Sequence, residues 1–249
     1  MRETLPTKDT LKDFYEKKHE SEYGSEAVYL NLDPMHYHQM ILEIVKTGQT
    51  ILDVGCATGY LGLAIKKKGN RVYGIEISEK AAKKAKEVLD DVIVGNIEEI
   101  NIPYPTEYFD IIICSDILEH LIAPEQVLVK LIKYLKPNGV LLVVVPNVAH
   151  YSLRWMLLRG KWKYTRTGSM DYGHIRFFTK KSMTKLLECS GYKTKNTIPW
   201  IDLPYPIRII DKCSYGLFSK ICKKFFDTIL AKCLLFVAED RNHENNMID

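Results

Sequence analysis

The amino-acid sequence predicts an α/β chain whose doubly wound, mostly parallel sheet is covered by helices on both faces. Three observations carry this. Five short apolar runs between residues 50 and 145 alternate with amphipathic stretches, the pattern of βαβ units. The runs are apolar throughout and not alternating, as strands buried on both faces are. Gly55, Ser78, Gly139 and Pro146 punctuate the boundaries with breakers and capping residues.

Met35 to Lys46 has apolar residues at helical spacing and is closed by Gly48. Thr50 to Gly55 reads as a buried strand, and residues 59–67 as a helix closed by Gly69. Arg71 to Ile77 is the second strand. Ser78 then caps a helix with Ala82, Ala85 and Leu89 on one face. Asp91 to Ile97 and Phe109 to Ser115 are strands three and four. Pro124 opens a helix with Leu128, Leu131, Ile132 and Leu135 on its apolar face, stopped by Pro137-Asn138-Gly139. Val140 to Val145 is the fifth strand. Residues 148–178 are aromatic, basic and irregular. A helix over Lys180–Ser190, a strand over Tyr192–Ile198, an amphipathic helical stretch over 205–231 and a strand over Cys233–Ala238 complete the chain. The expected organisation is a single domain, residues 1–249: an N-terminal lid segment (1–33), a core (34–147), two cap insertions (148–180 and 200–231), and the remaining core strands (181–199 and 232–240).

With 249 residues, 46% hydrophobic and 27% charged, the composition is that of a soluble globular domain. It excludes disordered, collagen-like and coiled-coil chains. A net charge of +4 is too weak to name nucleic acid as the partner. The six cysteines form no CxxC pair, so neither a zinc site nor a disulfide framework is indicated, and no metal is expected. Reduced thiols, a polar first 20 residues and short apolar runs point to a cytoplasmic protein with neither an export segment nor a membrane span.

The chemistry concentrates in the loop after the first strand, Asp53-Val54-Gly55-Cys56-Ala57-Thr58-Gly59-Tyr60. In open parallel sheets, ligands bind outside the carboxyl ends of the strands, where the strand order reverses. Seventeen residues after Gly59, Glu76 ends the second strand, where a ribose-binding acid belongs. Three ligands could use such a loop. A nicotinamide dinucleotide needs G-x-G-x-x-G, and the second and third positions here are Ala57 and Tyr60. A triphosphate needs a Gly-Lys-Ser/Thr, which is missing. S-adenosylmethionine has no phosphate, and its cationic groups favour a carboxylate such as Asp53 beside the glycines.

These residues resemble the class I S-adenosylmethionine-dependent methyltransferases. Asp53 to Gly59 is similar to their first motif, with Ala57 at its middle glycine. Glu76 matches the ribose-binding acid, and Gly95-Asn96-Ile97 the segment that contacts adenine, with Asn96 where the family usually has Asp. Phe109 to His120 matches the fourth-strand motif, and Leu135 to Val140 the approach to strand five. The resemblance spans roughly residues 34–147 and implies a Rossmann-like seven-stranded sheet whose last strand is antiparallel. It implies that S-adenosylmethionine contacts Asp53, Gly55, Cys56, Ala57, Gly59, Tyr60, Glu76, Ile77, Asn96, Ile97, Cys114 and Asp116. Asp116 is also a candidate helix cap, and Cys114 a small core residue at the pocket.

Beyond strand five, Asp171-Tyr172-Gly173-His174-Ile175-Arg176-Phe177-Phe178-Thr179 resembles a subgroup that methylates small molecules, often sugars or glycan precursors. Residues 151–181 carry eight Lys and Arg against Asp171 alone, interleaved with Trp155, Trp162, Tyr164 and Tyr172. Arg binds phosphate or carboxylate and aromatics stack on rings, so Arg176, Tyr172 and Asp171 are candidate substrate contacts for an anionic acceptor. A solvated basic loop is the alternative. O-methylation of a nucleotide-linked or lipid-linked sugar is the reading this favours. A quinone-type phenol, RNA, or a catalytically silent cofactor-binding subunit are the others. A hydroxyl acceptor needs a general base, and His174, His120 and His150 are the candidates. His174 leads them, with Asp171 one turn earlier as its expected orienting carboxylate. Residues 215–233 read as an amphipathic lid helix with a basic side, which would also suit peripheral contact with an anionic membrane. The oligomeric state is open.

Overall fold

In the computed structural model, described residues are 36–201 and 227–241. They contain helices α1 (Tyr37–Ile44), α2 (Tyr60–Lys66), α3 (Glu79–Ala85), α4 (Pro124–Ile132), α5 (Tyr151–Leu158), α6 (Lys180–Cys189) and α7 (Asp227–Leu230). The strands are β1 (Thr50–Val54), β2 (Arg71–Glu76), β3 (Asp91–Val94), β4 (Phe109–Ser115), β5 (Leu135–Pro146), β6 (Tyr192–Ile201) and β7 (Ala231–Asp240). They form one seven-stranded sheet in the order β3-β2-β1-β4-β5-β7-β6. All pairs from β3 to β5 are parallel, and β7 runs antiparallel between β5 and β6. The strand order reverses between β1 and β4, which fixes where a ligand crevice opens.

Both sheet faces are apolar because successive strand residues point to opposite sides. In β4, Ile112 and Cys114 join the core under α4 and α6, with Leu128, Leu131, Met183 and Leu187. Ile111 and Ile113 join the core on the other face, with Ile41 of α1, Ile65 of α2 and Ala82 and Ala85 of α3. Tyr192, fully buried at the start of β6, donates its hydroxyl to Leu128 O at 3.0 Å and so satisfies a carbonyl of α4. Ser78 caps α3 by accepting Ala81 N–H, as its sequence position predicts.

Three boundaries differ from the sequence reading. β3 stops at Val94, and Asn96 Oδ1 accepts Glu98 N–H to start a turn instead. β5 begins at Leu135, not Val140, so the expected break at Pro137-Asn138-Gly139 lies inside the strand. There Asn138 takes φ +65° and the register with β4 shifts. The expected helical stretch to 231 and beyond ends at Leu230, and residues 231–233 begin β7. Cys233 pairs with both Pro146 and Trp200, so the partners on either side take those backbone groups into the sheet. The lid segment 1–33 and the helical stretch over 205–226 lie outside the described residues. Among the described residues no helix is long and apolar enough to cross a membrane.

The insertion after β5 leaves and returns at one place. Asn147 bridges Phe178, Val148 N–H donates to Phe178 O at 2.9 Å, and the Asn147 amide donates to Ala231 O and Thr228 O. Thr179 then starts α6 with a capping box to Ser182.

Candidate active site

The loop from β1 to α2 is built from left-handed backbone: Gly55 has φ +77°, Ala57 +50° and Gly59 +80°. Gly55 and Cys56 N–H both donate to Ile75 O, at 2.8 and 3.1 Å, which ties the loop to the end of β2. A Cβ added to Gly55 would lie 2.9 Å from Ile117 Cδ1, and one on Gly59 2.8 Å from Val88 Cγ2 and 3.2 Å from Ala85 Cα. Both glycines are therefore required first by backbone conformation and by neighbouring protein.

Two carboxylates close the floor. Glu76 is buried; its Oε2 accepts Ala57 N–H at 2.8 Å and its Oε1 accepts Ser78 N–H at 2.9 Å. Asp53, buried at the end of β1, has its carboxyl pushed up to about 7 by burial and then by the charge of Glu76. Cys56 and Cys114 are buried beside them, and burial raises both thiols, so neither is a thiolate nucleophile at neutral pH. Ile97 is buried in the core on the α4 side, and Ile77 is half-buried after β2.

Across the crevice, Asp116 follows β4 in a left-handed conformation, φ +52°. Its Oδ2 accepts the Tyr37 hydroxyl at 2.6 Å. Burial, followed by the Asp116 charge, holds the Tyr37 phenol far above its usual range. Around this bond stand His36, His38, Tyr60 and Trp200: His36 and Tyr37 meet Trp200 at 5.1 and 5.4 Å, and Tyr60 meets His38 at 5.3 Å. Burial lowers His38 to about 3, so it is neutral. The sequence reading did not single out Tyr37 or Trp200. They come from α1 and β6, 163 residues apart at Tyr37 and Trp200, and no local pattern marks their meeting.

The third group lies where the insertion folds back. A 3-10 turn, Leu118–His120, follows β4. Ile175 and Arg176 N–H both donate to Glu119 O at 3.0 Å, pinning residues 173–176 on this turn. His174 Nε2 then lies 3.9 Å from Glu119 Oε1, and the rings of His120 and His174 meet at 4.6 Å. Glu119 and His174 are buried. The structure thus brings His120 and His174 together, with Glu119 as the carboxylate at the His174 ring. This corrects the role given to Asp171. That residue is buried inside its own turn, where Oδ1 accepts Gly173 N–H at 2.7 Å and its carbonyl accepts His174 N–H at 3.0 Å. Glu119 was written beside His120 in the sequence, but its partner stands 55 positions later. His150 caps α5: its Nδ1 bonds Ser152 Oγ at 2.7 Å. Arg176 is exposed, and its guanidinium donates to Ile122 O, anchoring the segment. Tyr172 is exposed and stacked on Tyr164 at 6.0 Å; Trp162 meets Phe177 at 5.3 Å.

A family model described as a methyltransferase domain matches residues 29–196. The chain belongs to the methyltransferase-domain family. The methyltransferase is 28% identical over 153 residues to a Mycolicibacterium smegmatis protein named "Probable S-adenosylmethionine-dependent methyltransferase", with 61% of this chain and 54% of that protein aligned. It is 23% identical over 172 residues to a ubiquinone biosynthesis O-methyltransferase of Coxiella burnetii, covering 65% of this chain and 71% of the relative. The chain thus spans about half the length of the first relative. Its fold matches a solved SAM-dependent methyltransferase from Archaeoglobus fulgidus with TM-score 0.62 at 18% identity, covering 92% of this chain and all of that one. S-adenosylmethionine is the cofactor that the names of these relatives give. The floor of the crevice fits it: two buried carboxylates, one raised by burial and then by the other's charge, favour a cationic ligand.

Proposed function

We propose that the protein is an S-adenosylmethionine-dependent O-methyltransferase for a small anionic acceptor, such as a nucleotide-linked or lipid-linked sugar. The observation that supports it best is the pairing of buried Asp53 and Glu76 around a left-handed loop after β1, together with the Glu119–His120–His174 group on the turn after β4, which the basic, aromatic segment folds back to meet. Asp53 would hold the cofactor's cationic amine. Glu76, buried at the end of β2, would accept the ribose hydroxyls. Gly55, Cys56, Ala57, Gly59 and Tyr60 would shape the loop. Ile77, Asn96 and Ile97 would border the adenine, and Cys114 and Asp116 the opposite wall.

The bound cofactor supplies an activated methyl group, so the chain's work is alignment and removal of the acceptor proton. His174, with Glu119 at its ring and His120 beside it, is the group we assign to that proton. His150, spent on capping α5, ranks below them. Arg176, Tyr172 and the exposed Trp155, Trp162 and Tyr164 would meet the acceptor, Asp171 shaping that turn. The six cysteines are scattered with no CxxC pair, which supports a cytoplasmic setting. The lysines of 215–233 would suit a lipid-linked acceptor at a membrane surface.

The test is calorimetry followed by methyl transfer. Glu76→Ala removes a charged hydrogen-bond partner worth about 1.5–3 kcal/mol, so S-adenosylmethionine affinity should fall roughly ten- to hundredfold. Unchanged affinity would remove Glu76 from the site. Labelled methyl groups should pass to nucleotide sugars and not to phenols or tRNA; transfer to either of the latter selects that alternative instead.

A further inference from the structure

We propose that Glu119, His120 and His174 form a seat for a divalent metal ion of the first transition row, next to where the acceptor enters. The inference rests on the proposed function only for what the ion would do. The seat itself rests on the three side chains. Each offers one ligand atom, and these atoms lie within 4.8 Å of one another. Bonds of about 2.0–2.2 Å to nitrogen and oxygen place neighbouring ligands roughly 3–3.5 Å apart, so closure needs shifts of about an ångström.

The lone pairs also point the right way. His120 Nδ1 lies 2.9 Å from Gly173 O, and His174 Nδ1 lies 3.2 Å from Ser169 O. A carbonyl only accepts, so in both rings Nδ1 carries the hydrogen, and in the neutral imidazole Nε2 then offers its lone pair. His174 Nε2 faces the carboxylate of Glu119 at 3.9 Å. Two acceptors so placed in a buried site call for a positive charge between them. Imidazoles that ligate metals typically donate the other ring N–H to a backbone carbonyl, which fixes tautomer and orientation. Two imidazoles and one carboxylate leave open positions on an ion, and nitrogen ligands favour zinc, cobalt, iron or manganese over calcium or magnesium.

The seat is assembled from two distant pieces. The turn after β4 supplies Glu119 and His120, and the returning end of the cap supplies His174, pinned by two hydrogen bonds to Glu119 O. An open position would take the acceptor hydroxyl. Coordination lowers the hydroxyl's pKa; the O–H bond breaks, its electron pair stays on oxygen and the proton leaves to solvent. The ion would then do the work that a neutral His174 would otherwise do alone.

The test uses the full chain stripped with chelator and titrated with cobalt(II), read by visible absorption and by calorimetry. We expect one equivalent bound with imidazole-type absorption bands, zinc(II) competing, and magnesium(II) failing to compete. Glu119→Gln and His174→Gln should each lower cobalt affinity at least tenfold, while His150→Gln binds as the wild type does. No uptake by the wild type, or undiminished uptake by both cluster variants, overturns the seat. Proton NMR of His174 supplies a second readout for variants that fold poorly: in the wild type its ring signals should shift or broaden on adding cobalt(II), and unmoved signals overturn the seat. S-adenosylmethionine binding, measured on the metal-free chain, separates the two readings. Its loss with cobalt uptake intact defeats the proposed function and leaves the seat standing.

Discussion

Asp53 is a carboxyl group that the fold would keep partly protonated near neutrality. Its value is raised to about 7, first by burial and then by Glu76. A carboxyl with a raised folded pKa holds a proton that the unfolded chain has released. Between about pH 4 and 7 the folded state therefore binds more protons, and stability falls as pH rises through that window, by a few kcal/mol at most. Urea midpoints of the ligand-free protein should drop from pH 5 to pH 8, and Asp53→Asn should flatten the drop. Equal slopes in the two proteins would contradict the assignment. The residues of this floor were legible because Asp53 and Glu76 sit at strand ends beside a glycine loop. Glu119 was overlooked as His174's partner because a contact across 55 residues leaves no trace in local spacing, whereas the nearer Asp171 fitted a helical turn that its own Gly173 hydrogen bond replaces.

Elements meet most closely where α2 begins. Gly59 sits at φ +80° against Val88 and the backbone of Ala85, so α2 and α3 approach with no room for a methyl group. Gly59→Ala should combine a left-handed penalty of about 1–2 kcal/mol with overpacking, for a total of at least about 2 kcal/mol. A denaturation midpoint unchanged within error would show that α3 yields freely. The strands and helices from β1 to α4 were legible because two-sided burial writes continuous apolar runs and Ser78 and Pro124 mark helix starts. The start of β5 and the end of the helical stretch before β7 were not. Turn-forming residues at 137–139 are absorbed by a register shift, and β7 gains partners on both sides that outweigh its local helical pattern.

At the scale of the whole molecule, the crevice joins parts contributed by β1, β2, β4, α1, β6 and the cap. A ligand that binds only this assembled state stabilises all of it. At a hundred times its dissociation constant, S-adenosylmethionine should add about 2.7 kcal/mol, which for a chain this long is roughly 5–10 °C in Tm. Differential scanning fluorimetry reads this directly, and Asp53→Asn should reduce the shift. A wild type that melts at one temperature with and without the cofactor would mean that the crevice does not take it. The fold class was legible from alternation alone; the antiparallel last strand came through family resemblance, and its place between β5 and β6 was not read, since pairing order is not written in any one segment.

The cap's two ends meet at Asn147 and Phe178, so the thirty residues between them leave and return at one place, held a second time where Ile175 and Arg176 N–H bond Glu119 O. A chain segment tethered this way can be exchanged for one of different length or chemistry with little disturbance to what lies below. Under the proposed function, the tether would make acceptor preference a detachable trait. Any replacement brings its own counterpart to His174 while β4 keeps Glu119 and His120, so a graft from a relative inherits the lower half of that cluster and must provide the upper half itself.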